Sequence, residues 1–252
     1  MTHLSVNLNA IAFLRNRRNV PWPSVIDIAR IALDAGADGI TVHPRPDERH
    51  IRRTDVSELA TLLRQDYPGR EFNIEGYPSE DFLVLVERAM PDQVTFVPDD
   101  PSQSTSDHGW NIEANRDLLV SAIARVKAAG IRASLFIDAD PSAPAAAASV
   151  GADRVELYTG PYGGEADAEV QAVQLAALKQ TADAARSAGH NARPGQPGLT
   201  VNAGHDLNLI NLPPLKHAIP DLAEVSIGHA ITADALVYGM AETVRHYKLA
   251  CS

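Results

Sequence analysis

Apolar and polar positions follow two rhythms along this chain, short β-branched runs and longer stretches with helical spacing. Their alternation is the signature of parallel strands covered by helices, since a doubly buried strand reads as a short apolar run and its crossover as an amphipathic helix. The short runs predict strands over Leu4–Asn9, Gly39–His43, Glu71–Glu75, Gln93–Pro98, Arg132–Asp138, Arg154–Tyr158, Leu199–Asn202 and Glu224–Ile227. The longer patterns predict helices near Ser24–Ala35, Val56–Gln65, Glu80–Ala89, Glu113–Ala129, Pro144–Val150, Ala166–Ala188, Pro214–Ile219 and Ala233–Lys248. Gly36, Gly130, Gly151 and Gly189 each follow a helix, where a left-handed residue without Cβ closes the last turn. Eight such pairs are what an α/β (β/α)₈ TIM barrel requires, and 252 residues suit one domain spanning 1–252.

The segment Gly36-Ala37-Asp38-Gly39-Ile40 recurs as Gly151-Ala152-Asp153-Arg154-Val155, before the second and sixth strands. Either a half-barrel duplication or two helix-to-strand junctions under the same local demands accounts for it. Turn formers crowd His190–Gly198, which predicts a loop ahead of the seventh strand. Pro98–Trp110 is too polar for the core and predicts a loop at the barrel rim.

Charge narrows the function. Lys and Arg number 22 against 32 Asp and Glu, a net charge of −10 whose field repels nucleic acid and anionic membranes. Anionic ligands must then be held by a local cluster of donors. The single cysteine, Cys251, cannot form an internal disulfide, in keeping with a reducing compartment and a cytoplasmic location. Met1-Thr2-His3-Leu4 does not open a basic and apolar leader, and no run approaches the ~18 apolar residues of a membrane helix.

The candidate chemistry lies at strand ends, the face where (β/α)₈ barrels assemble their sites. These ends carry Asn7 and Asn9, then His43 and Arg45, Glu75, Glu156 to Gly160, Asn202 and His205, and Gly228-His229. A lone histidine after a strand is usually a solvated or capping residue. His43, His205 and His229 together with Glu75 and Glu156 form a set able to exchange protons near neutral pH.

Period-two alternation puts Asn73 and Glu75 on the inner face, where desolvation raises a carboxyl pKa and suits a general base. A rim carboxylate paired with an arginine such as Arg45 is the plainer alternative. Glu156 sits in an otherwise apolar strand and also faces inward. The glycine-rich stretch Thr159–Gly164 suits either an anion cradle or a sharp turn. For phosphate, Asn202-Ala203-Gly204-His205 and Ile227-Gly228-His229-Ala230 supply small residues beside donors, as loops after the last two strands do in many barrels. One of Arg15, Arg17 and Arg18 adds positive charge from the adjoining first strand. No His-x-His, His-Glu-x-x-His, cysteine-ligand, Rossmann or Walker pattern occurs, so no metal is expected.

Taken in order, Val6-Asn7 with Leu14-Arg15-Asn16, Gly36 through His43, Arg45, Arg49-His50-Ile51, Asn73-Ile74-Glu75, Val97-Pro98, Ser134 through Asp140, Glu156 through Gly160, Val201 through His205 and Ile227 through Ala230 resemble the pyridoxine 5′-phosphate synthase family along nearly the whole chain. The resemblance implies a barrel with extra helices, a homo-oligomer that is often an octamer, and no cofactor. It implies condensation of two phosphorylated substrates, 1-deoxy-D-xylulose 5-phosphate and 3-amino-2-oxopropyl phosphate, to pyridoxine 5′-phosphate with release of phosphate and water. By the same resemblance His43 and Glu75 are proton acceptors, His205 a proton donor and Glu156 a transition-state stabiliser. Asn7, Arg18, Gly228 and His229 would bind the aminooxopropyl phosphate, and Arg45, His50 and Thr105 the deoxyxylulose phosphate.

The chain departs from the commoner pattern in two places. Asn9-Ala10 replaces an Asp-His pair, leaving a hydrogen bond but no charge. Asp206 replaces a glycine, bringing a negative charge toward a phosphate. A catalytically silent phosphate-binding barrel and another phosphosugar barrel enzyme are the competing readings, since fold alone does not decide reaction.

Overall fold

The computed structural model describes residues 1–18, 20–99, 106–192 and 198–252. Eight parallel strands close in sequence order: β1 (His3–Asn7), β2 (Gly39–Val42), β3 (Glu71–Gly76), β4 (Gln93–Phe96), β5 (Arg132–Ile137), β6 (Arg154–Tyr158), β7 (Thr200–Gly204) and β8 (Glu224–Ile227). Closure is direct, with His3 opposite Glu224 and Val6 opposite Ile227. The surrounding helices are α1 (Asn9–Asn16), α2 (Val25–Asp34), α3 (Arg53–Asp66), α4 (Glu80–Ala89), α5 (Arg116–Ala128), α6 (Ala143–Ser149), α7 (Gly160–Gly163), α8 (Ala168–Ala192), α9 (Leu212–Ala218), α10 (His229–Tyr238) and α11 (Met240–Ala250).

The strand pattern has a plain physical basis. Outward residues such as Leu4, Val6, Ile40, Val42, Ile74, Val94, Leu135, Val155 and Val225 are fully buried beneath the helices. The alternate residues point into the barrel and are mostly polar: Ser5, Thr41, Asn73, Thr95, Ser134 and Asn202. Such a core is stable only if its groups satisfy one another. Ser5 and Thr41 hydroxyls lie 2.7 Å apart, and Thr95 donates to Asn73 at 3.1 Å. At the N-terminal end Glu71 accepts from Arg132 at 2.8 Å, and Arg154 lies 3.5 Å from Glu71 and 3.8 Å from Glu224. This charged layer closes the floor and leaves the opposite mouth for ligands.

The recurring Gly-Ala-Asp segment is explained by its bonds. Asp38 accepts the Leu4 amide at 2.8 Å and Asp153 the Ala133 amide at 3.0 Å, each clamping its junction to the preceding strand. Asp92, outside the repeat, accepts the Phe72 amide at 2.8 Å in the same way. A device used at a third junction is a local requirement of helix-to-strand turns, so duplication is not needed.

Several expected boundaries are corrected. β1 stops at Asn7, and Asn9 opens α1, a helix the apolar pattern concealed because its buried face includes Arg15. That arginine is paired with Asp55 on α3 at 2.6 Å and also donates to the His50 carbonyl at 3.1 Å. The expected single helix over Ala233–Lys248 is two, α10 and α11, broken at Gly239, whose φ of +78° favours glycine. Gly36, Gly130 and Gly151 do adopt positive φ, whereas α8 runs past Gly189 to Ala192 and takes in the start of the expected His190–Gly198 loop. The remainder of that stretch to Pro197, and residues 100–105 with Thr105, lie outside the described residues.

Candidate active site

The C-terminal strand ends surround a cavity of about 640 Å³. The lining includes Asn7, Asn9, His43, Arg45, His50, Glu75, Glu156, His205, Asp206, Gly228 and His229. Arg18 is exposed and outside the lining, while Arg17 belongs to it. Of the three arginines after β1, then, Arg15 is structural and Arg17 faces the cavity.

A chain of hydrogen bonds runs from β1 to the acid–base groups. Asn7 donates through Nδ2 to Glu75 at 3.4 Å and accepts the Asn9 amide at 3.0 Å. The Asn9 side-chain carbonyl accepts the His43 backbone amide at 2.9 Å. An uncharged acceptor is enough for that task, which gives the Asn9 departure a structural use. Across the His43 ring, Nδ1 lies 3.9 Å from Glu75 and Nε2 lies 3.7 Å from Asp99. Arg45 forms its ion pair with Asp99, which also accepts from Ser106 at 2.9 Å.

Glu156 enters from β6 with Oε2 buried and without a hydrogen-bond partner among the described residues. A Cβ built on Gly204 would lie 2.4 Å from Glu156 Oε1, so only glycine leaves room for this carboxyl. His205 packs against Phe136 and Tyr158, with ring centroids 4.9 and 5.4 Å away. Its φ is +85° and that of Asp206 +55°, a strained pair of left-handed residues held by their neighbours. The Thr159 hydroxyl lies 2.6 Å from the carbonyl oxygens of Gly204 and His205, and Asn211 donates to the Asp206 carbonyl at 2.9 Å. The glycines after Thr159 serve packing: Gly163 sits so close to Asp206 that a Cβ would meet its carbonyl oxygen at 2.4 Å.

Burial sets the proton affinities. It pushes Glu75 well above the usual carboxyl range, helped by the charges of Glu156 and Asp99. Glu156 is raised to about 7 by burial, against the pull of Thr95 and Arg154. The imidazoles move the other way: His43 falls well below its ordinary value through burial and the positive charge of Arg45, and His205 falls through burial. Burial, then Arg45 and Arg49, lowers His50 to about 4, and its Nδ1 accepts the Ile51 amide at 2.9 Å. Carboxyl and imidazole normally differ by about two pKa units. Here burial raises the carboxyls and lowers the imidazoles, which takes both away from their usual order and equips each kind of group to give or take a proton in the same cavity.

For an anion, α10 presents its N-terminus at Gly228 and His229 with no acidic residue in its first turn. Unsatisfied amides and the helix dipole make such a terminus a phosphate site. The Thr232 hydroxyl lines the cavity and is buried without a partner among the described residues. No group of three His, Cys, Asp or Glu among the described residues is arranged to hold a metal ion.

The model of a family described as "Pyridoxal phosphate biosynthesis protein PdxJ" matches residues 4–252. The chain belongs to the PdxJ family. Pyridoxine 5′-phosphate synthase of Chelativorans sp. (strain BNC1) is 60% identical over 251 residues, covering 98% of both chains. That of Mesorhizobium japonicum is 59% identical over 249 residues, again covering 98% of each. This PdxJ-family chain is therefore an enzyme of pyridoxal phosphate biosynthesis. Among solved structures, phosphoribosyl anthranilate isomerase from Thermotoga maritima superposes with a TM-score of 0.61 at 13% identity, covering 100% of this chain and 98% of that one. Thiamine phosphate pyrophosphorylase from Pyrococcus furiosus gives 0.60 at 13% identity over 99% and 95%. These two likenesses show the barrel fold alone.

Sequence reasoning missed Asp99 and Ser106 in the PdxJ-family site, and left open which of Arg15, Arg17 and Arg18 turns toward the cavity, where Arg17 lies. Asp99 was within reach, because it follows Val97-Pro98 just past β4, as His43 follows β2. Ser106 carried no signal, since its relevance depends on which neighbours the loops bring close.

Proposed function

We propose that this cavity condenses 3-amino-2-oxopropyl phosphate with 1-deoxy-D-xylulose 5-phosphate to pyridoxine 5′-phosphate, phosphate and water. The observation that carries the reading is the gathering of two carboxyls with raised pKa and two imidazoles with lowered pKa around one cavity that also holds a helix N-terminus. Imine formation, phosphate loss, ring closure and aromatisation each move a proton, and a single acid–base group cannot serve them all.

In this reading Glu75 and His43 take protons from substrate carbon and oxygen. Glu156, whose Oε2 has no hydrogen-bond partner among the described residues, offers negative charge to a cationic transition state. His205 delivers protons to leaving oxygen, and a bound phosphate dianion favours its charged form, opposing the effect of burial. Gly228 and His229 with Asn7 hold the aminooxopropyl phosphate, and Arg18 serves it from the rim. Arg45, His50, Thr105 and Asn9 hold the deoxyxylulose phosphate, with Asp206 at the edge of the substrate space. Purified protein given both substrates and a chelator is expected to yield pyridoxine 5′-phosphate by mass spectrometry. Folded protein that binds either substrate by calorimetry yet forms no product would instead mark a silent barrel.

The same reading makes the enzyme a cytoplasmic homo-oligomer. Leu236, Val237 and Tyr238, at 79, 75 and 54% exposure, crowd the last turn of α10, with Leu236 lining the cavity, and leave an apolar surface for a second copy to cover. No helix among the described residues is long and apolar enough to cross a membrane. Light scattering is expected to give a multiple of 27.0 kDa, with an octamer as the family form, and a monomer at micromolar concentration would refute the oligomer.

A further inference from the structure

We propose that Asp99 is a positioning residue that holds the His43 imidazole in its Nε2–H form and leaves the Nδ1 lone pair facing Glu75. The inference deepens the acid–base reading above and rests on it for its catalytic consequence.

Asp99 lies just beyond β4 and is buried, with 6% of its side chain exposed. One oxygen, Oδ2, receives the Arg45 guanidinium, takes the Ser106 hydroxyl at 2.9 Å and faces His43 Nε2 at 3.7 Å. Glu75 faces the opposite nitrogen, Nδ1, at 3.9 Å. The imidazole is thus strung between two carboxyl groups, one on β3 and the other just beyond β4. A neutral imidazole carries one N–H, and the side with the fixed acceptor decides which nitrogen keeps it. Arg45 and Ser106 both donate to Asp99, so its oxygen is held in place rather than left to swing. Burial keeps His43 neutral at pH 7, which gives the choice of tautomer chemical meaning. Distances of 3.7 and 3.9 Å are long for hydrogen bonds, as is common in an acid–base site before its ligand closes it.

The consequence is directional. With the proton on Nε2, Nδ1 can accept from Glu75 or from a substrate atom between them, and Asp99 stabilises the imidazolium so formed. The carboxylate of a serine-hydrolase triad acts on its histidine in this manner, without itself taking up the proton. The charged and titratable groups facing His43 are Glu75 from β3, Asp99 beyond β4, Arg45, Arg49 and His50 from the segment after β2, and His205 beyond β7.

The test reads the tautomer directly, by long-range proton–nitrogen correlation on the full-length protein labelled with ¹⁵N-histidine at pH 7. Wild-type His43 is expected to carry its proton on Nε2, and a proton on Nδ1 would overturn the proposal whatever the activity. Asp99→Asn keeps the shape but can present an N–H to Nε2. This variant is expected to move His43 toward the Nδ1–H form and to lower kcat about 100-fold. It also removes a charge that raises Glu75, so the acid limb of kcat/KM is expected to move to lower pH. A folded variant with lower kcat but an unchanged tautomer and acid limb would show a mere anchor for Arg45 and refute the proposal. Because the wild-type tautomer is measured without substrate, its outcome stands apart from any failure of the proposed reaction.

Discussion

Glu75→Gln is expected to lower kcat about 100- to 10,000-fold while the barrel stays folded, the range over which a positioned general base contributes. Gln has the size of Glu and can still accept from Asn7, so the bond from β1 survives. What disappears is a carboxyl facing His43 Nδ1 that burial has made both a strong base when ionised and a ready donor when neutral. The stability effect runs the other way. Because the folded-state pKa of Glu75 is raised, the stability associated with its neutral form is complete below the unfolded pKa and is lost as pH rises through the folded value. Gln never ionises, so the variant is expected to melt at or above the wild-type temperature, with the advantage growing toward alkaline pH. Steady-state kinetics and melting curves across pH check both halves. A variant within threefold of wild-type kcat would remove Glu75 from the mechanism.

The second large effect falls on stability. Arg15→Ala is expected to cost about 3–5 kcal/mol, because it strands the Asp55 carboxylate in a buried setting. Arg15 and Asp55 side chains are each only 8% exposed and meet in a two-pronged pair, at 2.6 and 2.9 Å. Asp55 also caps the start of α3 by accepting the Arg52 amide at 2.7 Å, and Arg15 ties α1 to the His50 carbonyl. Losing the arginine therefore loosens α1, the entry to α3 and the His50 segment together. At about 2–4 °C per kcal/mol for a chain of this size, melting is expected to fall by roughly 6–20 °C. A fall under 2 °C would mean that solvent reaches the pair and the burial is not real. Substrate KM should rise only as far as His50 shifts.

How much was legible depended on how local the governing interactions are. All eight strands fell within a few residues of their expected limits, because burial on both faces forces a short β-branched run wherever a strand lies. The carboxyls lining the cavity were legible for a related reason: a carboxylate inside an apolar run, as at Glu156, has no cheap structural excuse. Helix α1 was hidden because its buried face is completed by Arg15, whose partner Asp55 is 40 residues away. The break at Gly239 was hidden because helix-forming residues flank it on both sides. The glycine-rich stretch after Thr159 was open to two readings, an anion cradle or a sharp turn, because the close approach of Gly163 to Asp206 comes from a turn more than 40 residues further on.

By itself, the order of residues determined the barrel, its strand faces and the set of groups able to move protons, since these follow from alternation, periodicity and intrinsic chemistry. Only the tertiary structure decided which of those groups meet, that Asp99 rather than a neighbour in sequence stands behind His43, and that Gly204 makes room for Glu156. The reason is physical: proton affinity and hydrogen bonding depend on ångström-scale distances and on exclusion of water, and both arise only when segments far apart in the chain are packed together.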